Sequence, residues 1–426
     1  MFEVTDINPA GKVIDAAPIT VEPGATLMWV ANGGLEIDAP ISVKGSGEIN
    51  LHYDYYQTSN GGVADPSAFS FGNGGSVSYL TSGGGVATSQ QGGQFVLNNI
   101  EYTLIYTMAQ LDSIDGINGV TGASEGVYGP GLNGNYALVN TLNAAGTTYG
   151  RELVNNFEGT FEGLNNSIDN LTIKDNGATS DSVGLFGALH GTARDIDLVN
   201  VSITDNDPNL YHPAVGGLAG YSDGSVYNVS VSGDVNATND LSASVGGVVG
   251  YAPNGPIYNA RASDTVEGGS GDNLGGLVGL SYAATISQSS ATGNVTGTYA
   301  QIGGLVGFAQ GGTTISQSYA TGNVSGGTNS LEGGLVGYNL GTINQTYATG
   351  SVTSTSNSSM GGLVGANSGS VILSYWDADT SGQSTSAGGS KLSTAQLQSG
   401  TLPAGFAPSI WSVTPGQDPK LKVAEH

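Results

Sequence analysis

A short segment near the C-terminus has the spacing of a calcium-binding loop. Asp377, Asp379 and Ser381 alternate along the chain and are followed by Gly382. Alternate oxygen side chains can converge on a hard cation such as Ca²⁺, and glycine permits the sharp turn of such a loop. Gly388 stands where an EF-hand would carry its bidentate glutamate, which excludes a complete EF-hand. The segment therefore predicts either a calcium site or an Asx-turn at the end of the last repeat. Calcium is the one cofactor that the sequence suggests, and none is required.

Aromatic residues near the N-terminus could bind sugar rings. The group consists of Trp29, Tyr53, Tyr55 and Tyr56. Aromatic faces bind pyranose rings by apolar contact, so this group could form a sugar platform. A second set, which includes Tyr319 and Tyr347, recurs at one place in successive repeats and could act in the same way. The alternative for both sets is ladder packing inside a repeat protein.

The densest cluster of charged residues is Arg194-Asp195-Ile196-Asp197. A carbohydrate-active β-helix enzyme needs paired acids, or an acid with a base, on one face. On a strand, the two aspartates of this cluster would share a face. The alternative is a solvated face on which Arg194 pairs locally. The cluster is therefore a weak candidate for an active site.

The elements that position these residues follow from a repeat in the second half of the chain. The signature GLVG, or a close variant, begins at residues 184, 217, 247, 276, 304, 334 and 362, with spacings of 28 to 33 residues. Each copy contains short apolar runs bounded by glycine and asparagine, which predicts about three short strands per repeat. One such unit cannot bury its apolar face, but units stacked about 4.8 Å apart can. The repeat therefore predicts a β-solenoid.

Alignment of the copies places similar residues in columns. One column contains amides, one contains tyrosines, and one follows the last glycine of the signature. Their members are Asn228, Asn259, Gln288, Gln317 and Gln345; Tyr319, Tyr347 and Tyr375; and Tyr221, Tyr251, Leu280, Phe308 and Tyr338. Stacked amides hydrogen-bond to one another along a cross-β direction, and stacked aromatic rings pack well. We therefore expect ladders of both kinds.

The texture of the chain changes along its length and predicts four parts. The first has shorter rungs and a Gly/Ser-rich loop, the second is irregular with a short helix capped by Thr107, the third is the repeat array, and the last is a cap with another short helix. The ranges are 1–100 with the loop at 57–93, 101–160 with the helix near 107–114, 161–376 with seven repeats, and 377–426 with the helix near 393–398.

Composition excludes several classes of protein. The 426 residues include no cysteine, 9 Lys plus Arg and 34 Asp plus Glu, which gives a net charge of −25. Without cysteine there is no disulfide, iron–sulfur cluster or thiol nucleophile. Nine bases cannot form a nucleic-acid groove, and no apolar run is long enough for membrane insertion. The first residues lack the features of a signal peptide, so we expect part of a longer polypeptide.

The pattern GGLVG–x–N/Q–GTIxQSYATGNV resembles the GLUG motif of bacterial surface proteins, notably filamentous-haemagglutinin-like adhesins exported by two-partner secretion. The likeness covers roughly residues 20–415, although the copy at 184 lacks the leading glycine and those near 217 and 247 are degenerate. The resemblance implies a right-handed parallel β-helix, a secreted or cell-surface location and a role in attachment. GLUG arrays also occur beside metallopeptidase domains, but this sequence has no HExxH pair.

We therefore expect an all-β, right-handed parallel β-helix that acts as a non-enzymatic extracellular adhesin segment. Its partner would be a glycan or a protein of a host or other surface, and the chain would be a monomer within a longer polypeptide. Two alternatives remain open. One is a carbohydrate-active β-helix enzyme, either a polysaccharide lyase or a glycoside hydrolase. The other is a passive structural stalk.

Overall fold

The fold is all-β, and nearly all of its strands pair in parallel with the equivalent strand one repeat away. The computed structural model describes residues 2–6, 12–55, 58, 65, 68–72, 74–175, 177, 181–206 and 212–422, with the backbone alone for 2–6 and 239–241. The predicted parallel β-solenoid is confirmed. The chain forms two solenoids that share a sheet, followed by a C-terminal cap.

The first solenoid, residues 2–97, has short rungs of three strands. Leu35 pairs with Val13, 22 residues earlier, and Phe69 pairs with Leu35 after an insertion. Inward side chains alternate with outward ones, so each rung covers the apolar face of the previous rung. Its strands are Phe2–Asp6, Val13–Asp15, Ile19–Val21, Thr26–Ala31, Leu35–Ile37, Pro40–Lys44, Glu48–His52, Phe69–Phe71, Ser76–Leu80 and Gln94–Leu97.

The Gly/Ser-rich segment 57–93, expected to be a loop, contributes part of a rung. The strands Phe69–Phe71 and Ser76–Leu80 lie inside it. Their alternate residues, including Val77 and Tyr79, are buried in the core of the first solenoid. The prediction was wrong for residues 69–80, because period-two burial of a few large side chains outweighs a composition rich in glycine and serine. Most of 57–67 lies outside the described residues.

A tight hairpin reverses the strand direction between the two solenoids. Asn98 and Asn99 both have positive φ, 49° and 63°, as a two-residue turn of type I′ requires. The strand Ile100–Ile105 therefore pairs antiparallel with Gln94–Leu97 and in parallel with Asn135–Leu138. Every later rung runs in this reversed direction.

The shared sheet has a core on each face. Tyr102 and Leu104 point into the core of the first solenoid, whereas Tyr136 and Leu138 pack in the core of the second. Because successive side chains of a strand point to opposite faces, one sheet can serve both cores. The second solenoid, residues 100–377, therefore lies beside the first and buries the outer face of its own sheet against it.

The rungs of the second solenoid change along its axis. The rungs that end with the signatures at 217 and 247 contain three strands, as the sequence predicts, that at 276 contains four, and the last three contain five. In the last three rungs, the stretch that forms one long strand at Ser225–Leu241 is divided into three short ones, with Gln317, φ 50°, at the first break and Gly322 at the second. The strands outside the signature are Asn135–Leu138, Leu142–Asn143, Thr148–Tyr149, Thr160–Asp169, Thr172–Asp175, Thr192–Asp205, Ser225–Leu241, Pro256–Ala262, Thr265–Ser270, Thr285–Ser287, Ser290–Ala291, Val295–Thr298, Thr314–Ser316, Tyr319–Ala320, Val324–Thr328, Thr342–Asn344, Tyr347–Ala348, Val352–Ser356, Ser370–Ile372 and Tyr375–Asp377.

Each signature forms a β-arch, which we define as a first arch strand, the turn at the leading glycine and leucine, and a second arch strand. The arch strands stack into two seven-stranded parallel sheets. The first arch strands are Ser182–Val183, Ala214–Gly216, Ser244–Gly246, Asn273–Gly275, Gln301–Gly303, Leu331–Gly333 and Ser359–Gly361. The second arch strands are Phe186–Leu189, Ala219–Ser222, Val249–Ala252, Val278–Ser281, Val306–Ala309, Val336–Asn339 and Val364–Asn367.

Glycine is required where the two arch sheets meet. A Cβ on Gly303 would collide with the carbonyl oxygen of Val306, and one on Gly307 would lie 2.5 Å from the backbone nitrogen of Leu274 in a first arch strand. The two sheets therefore touch through their backbones, and no side chain fits between them. This contact explains why the signature both follows and ends in glycine.

Polar ladders follow the corners of the rungs. The amide column has φ values near +50°, and Asn259 donates to Asn228, which donates to Asp195. A buried column of hydroxyls runs beside it, in which the backbone N–H of Ser289 donates to Ser318 Oγ, 3.1 Å away. These bonds satisfy backbone groups that the corners would otherwise leave unpaired.

The C-terminal segment closes the end of the rod and then folds back along its side. Ser390–Leu392 pairs with the last rung, and the strands Trp411–Ser412 and Lys420–Leu421 form a small hairpin. We expected residues 377–426 to form a cap. Within it, Phe406 and Trp411 cover a lateral tyrosine column, because that column is apolar and needs cover.

The helices of the described part are short. They are Met108–Asp112 with Thr107 as N-cap, Ala378–Ser381 and Thr394–Leu397 with Ser393 as N-cap, and Gly131–Asn133 forms a 3₁₀ turn. In the described ranges, no helix is long and apolar enough to cross a bilayer.

Candidate functional site

The predicted calcium segment forms a capped helical turn. Asp377 Oδ1 accepts from the backbone N–H groups of Asp379 and Thr380, and its Oδ2 accepts from Thr394 Oγ1 at 2.7 Å. Asp379 Oδ2 accepts from the backbone N–H of Thr394, and Ser381 Oγ accepts from Gln383. The carboxylates thus serve as helix caps, which is the Asx-type alternative.

The rest of the described structure also lacks a cluster of metal ligands. Within the described residues, no three His, Cys, Asp or Glu side chains are placed together so that they could hold an ion. Calcium binding at Asp377 stays a prediction, and the contacts of the cap supply a way to test it.

The two aromatic sets are packed differently from a sugar platform. Trp29 and Tyr53 are 3% and 6% exposed and belong to the first core, where Tyr53 stacks on Phe69. A solvent-facing platform of these two rings is therefore wrong, because their strands turn them inward. Tyr55 is 39% exposed and meets His52 edge to face. Tyr56 lies outside the described residues.

The tyrosine column of the last repeats is also covered. The rings of Tyr319 and Tyr347 stack with centroids 5.1 Å apart, and Trp411 packs against both. The hydroxyl of Tyr347 donates to the carbonyl of Pro419 at 2.6 Å. This column binds the cap of its own chain.

The charged cluster at Arg194 lies buried between the two solenoids. Arg194 Nε is 2.6 Å from Asp195 Oδ2 and 3.2 Å from Glu162 Oε2, and Arg194 Nη2 donates to the carbonyl of Phe69. The cluster is therefore neither an open active site nor a solvated face, although Arg194 does pair locally, as expected. Asp195 has φ 54°, which interrupts the strand alternation, so Asp197 lies apart from it near Arg261.

Burial and neighbouring charges shift the pKa values of two groups in this cluster. Burial and the charge of Asp195 raise the pKa of Glu162 well above its usual value, although Arg194 opposes the shift. Burial alone would lower the pKa of Arg194, but Asp195 and Glu162 raise it. One guanidinium thus lies between two carboxyl groups, and the cluster is a buried polar joint between the solenoids.

A pocket of about 470 Å³ opens beside Arg151. Arg151 Nη2 is 3.0 Å from Asp115 Oδ2 and 2.9 Å from Glu152 Oε1, and the side chains of these two acids are 4% and 0% exposed. The acids are thus turned away from the pocket and locked by the arginine. A reactive pair of acids is missing from the lining residues.

A second pocket, of about 400 Å³, lies on the arch face of the second solenoid. We call it the arch groove. Its lining includes Tyr251, Leu280 and Phe308 and the amides Asn273, Gln301 and Gln310. It therefore combines an apolar strip with hydrogen-bonding side chains.

The stacking of the rungs builds this groove. Tyr251 pairs with Leu280, Leu280 with Phe308, and Phe308 with Tyr338, whose rings stack with centroids 5.1 Å apart. All of these side chains are half-buried. The column predicted to follow each signature is thus a ladder on an open face.

A polar column along one side of the groove was not predicted from the sequence. Ser244, Asn273 and Gln301 pair in successive first arch strands. Each stands three residues before its signature, which is the signal that could have revealed them, but their different types hide the column. Within the described residues, Asn273 Oδ1 is buried without a hydrogen-bond partner.

The groove contains no catalytic set. Among its lining residues, His212 is the only imidazole, and no acid, lysine or arginine is present. Asp272 and Glu332, the only acids between residues 268 and 376, are both fully buried. The groove can therefore bind through stacking and amide hydrogen bonds, without acid–base chemistry.

The family comparison matches the repeats. A family model described as the GLUG motif matches residues 211–236, 270–296 and 298–325. The chain carries the GLUG motif. Each matched stretch contains one β-arch, and the remaining copies of the signature form the same arch.

Two known proteins resemble parts of the GLUG chain. Halomucin of Haloquadratum walsbyi is 34% identical over 107 residues, which are 25% of this chain and 1% of halomucin. A crystal structure of a Bacteroides ovatus protein proposed to be an immunoglobulin A1 protease has a TM-score of 0.52 and 19% identity, and covers 76% of this chain and 93% of that one. At this identity the second likeness concerns the fold.

Proposed function

We propose that the chain is a non-enzymatic attachment segment of a secreted, cell-surface protein, with a stiff solenoid that presents a binding face to a glycan or a surface protein. The arch groove carries this proposal, because half-buried aromatic rings and free amides recur there on successive rungs. An exposed apolar strip with polar edges is typical of a binding surface.

The backbone supports the mechanical part of the proposal. Leu277 N–H donates to the carbonyl of Leu305, 2.9 Å away, and Leu305 donates in the same way to Leu335. Each rung is thus hydrogen-bonded to the next along the axis, and the two cores run through successive rungs. Such a rod transmits force and holds its faces in register.

The GLUG motif supports a location outside the cell. Absence of cysteine suits a chain that crosses a membrane unfolded and gains nothing from disulfides. Our finer hypothesis is an adhesin exported by two-partner secretion. A net charge of −25 would keep such a rod soluble and separate from its copies.

Enzymatic activity is the second candidate. The fold likeness to the Bacteroides ovatus protein favours it, as does a partly exposed pair in which His190 Nδ1 lies 2.7 Å from Asp223 Oδ1. A hydrolytic triad needs a nucleophile at the other ring nitrogen. Among the described residues, no hydroxyl contacts that nitrogen.

An adhesion assay with a product assay tests the proposal. Beads coated with the full chain are washed over immobilised polysaccharides and cell-surface proteins, with and without calcium. Retention without release of sugar or peptide fragments is the expected result. No retention on any surface would leave the passive stalk, and fragment release that stops in a His190→Ala variant would establish the enzyme.

A further inference from the structure

We propose that the arch groove binds an extended, uncharged polysaccharide lengthwise along the rod, with successive sugar rings on successive rungs. The inference rests on the proposed attachment function and adds the site and the chemical class of the ligand. Four observations support it: the aromatic ladder, the amide side chains, the absence of charged lining residues, and the contrast with the tyrosine column that the cap covers.

The floor of the groove has the periodicity of a polymer. Tyr251, Leu280 and Phe308 line the groove one rung apart, Tyr338 continues their column on the next rung, and stacked strands repeat about every 4.8 Å. This spacing is similar to the length of one sugar residue in an extended chain. Aromatic faces bind the apolar face of a pyranose, so a regular ladder favours a regular chain of sugars over a compact ligand.

The sides of the groove supply matching hydrogen bonds. Asn273 and Gln301 lie on adjacent rungs on one side, and Gln310 lies in the same pocket. Within the described part of the chain, the side chains of these three residues form no hydrogen bonds. Amides both donate and accept, which suits the hydroxyl groups of sugars.

Charge selects an uncharged ligand. The lining residues include no acid, lysine or arginine to pair with a charged sugar. The chain as a whole carries a net charge of −25, which repels polyanions such as uronic-acid chains. The same net negative charge disfavours a nucleic acid or an anionic lipid surface as the ligand.

The contrast with the tyrosine column strengthens this assignment. There, Phe406 and Trp411 of the cap cover Tyr347, which is 1% exposed. In the arch groove, by contrast, Phe308 and Tyr338 stack in the same way and stay half-buried in the described structure. One ladder is thus sealed by the chain itself, and the other is available to a ligand.

The test measures binding of defined oligosaccharides to the full chain by calorimetry. The probes are the hexasaccharides of cellulose, xylan, mannan and chitin, with an oligouronate as the anionic control. Tyr251→Ala and Phe308→Ala should each weaken binding about tenfold. Tyr258→Ala, which changes a half-buried tyrosine on a different sheet of the same rung as Tyr251, should bind like the wild type.

A gain of affinity guards against variants that merely unfold. Leu280 is the one aliphatic residue between Tyr251 and Phe308 in the ladder. Leu280→Tyr should complete the ladder and tighten binding about threefold or more. Equal binding by all four variants and the wild type would place the ligand elsewhere and overturn the inference, while the attachment function would stand.

Three further outcomes bear on the inference and on the proposed function. If no uncharged probe binds while coated beads still adhere to proteins, the groove assignment fails and attachment survives. If neither probes nor beads bind anything, both fail together. Preference for the oligouronate would also contradict the assignment.

Discussion

The two solenoids stack their rungs in different ways. The rung from Val13 to Leu35 in the first needs 22 residues, and the first core is filled with large side chains such as Phe69, Phe71 and Tyr79. A rung of the second needs 28 to 33 residues and adds an arch in which glycine backbones touch. The extra residues build a second layer, and that layer carries the open ladder. The comparison teaches that the added arch, rather than the core, supplies the surface for function.

Breaking an arch glycine should have the largest effect. We expect Gly303→Ala to destabilise the second solenoid by about 4 kcal/mol or more, since its Cβ would meet the backbone of Val306 and the rungs above and below hold that backbone in place. Gly311→Ala is the matched control, because a Cβ there meets nothing within 4 Å. Urea unfolding followed by circular dichroism measures both. Equal stability of the two variants would show that the arch is not packed through its backbone.

Breaking the buried cluster at Arg194, which joins the two solenoids, should have the second-largest effect on stability. Arg194→Met leaves Asp195 and Glu162 without their cation and should cost about 3–5 kcal/mol. We expect the single unfolding transition to split in two, since the variant weakens the contact between the solenoids more than either core. Limited proteolysis and calorimetry follow this change.

The same joint supplies its own control. The triple variant Arg194→Met, Glu162→Gln, Asp195→Asn removes the guanidinium and both carboxyl groups and should recover most of the lost stability. No recovery would indicate that the packing of the arginine on Phe69, 5.1 Å from its ring centroid, matters more than its charge.

A buried acid in the array should make stability depend on pH. Both carboxyl oxygens of Asp264 are buried without a partner among the described residues, and burial raises the pKa of Asp264 well above its usual value. The native state then binds more protons than the unfolded state, so the free energy of unfolding falls as pH rises from about 4. Asp264→Ala should flatten this slope and stabilise the chain at pH 7 by about 1–3 kcal/mol.

Thermal melts from pH 4 to 8 check this prediction. Glu158→Ala, at an exposed acid elsewhere in the second solenoid, serves as the control for the overall change in charge. An unchanged slope in the Asp264 variant would mean that another buried acid, such as Asp272, sets the pH dependence.

The smallest effect is expected at the cap. Asp377→Ala removes an N-cap and a bond to Thr394, which should cost about 1 kcal/mol equally in calcium and in chelator. Asp377→Asn keeps an oxygen acceptor for the cap and should lose less. A loss that appears only in calcium would revive the calcium site at Asp377, Asp379 and Ser381.

The sequence carries much of the fold in its periodicity. Seven signatures at near-constant spacing suffice to predict the parallel stack, and amides such as Asn228 and Asn259 stand where ladder residues are expected. The reversal at Asn98 was harder to foresee, because a two-residue turn is a local event and the second core lies across a sheet. The only trace is a run such as Tyr136-Ala137-Leu138-Val139, apolar on both faces.

The candidate site was less accessible from sequence than the fold. Exposure of the column at Phe308 and cover over the column at Tyr347 depend on where the cap folds back, which no local pattern encodes. The amide side of the groove also hides behind residues of different type, and only the arch brings Gln301 beside Phe308.

Hydroxyl-radical footprinting of aromatic side chains tests the central claim most directly. With a saturating uncharged hexasaccharide bound, the account predicts that oxidation of Tyr251, Phe308 and Tyr338 falls several-fold while oxidation of Tyr258 and Tyr299 is unchanged. Protection confined to residues of the first solenoid, or no protection of the ladder despite measured binding, would contradict it.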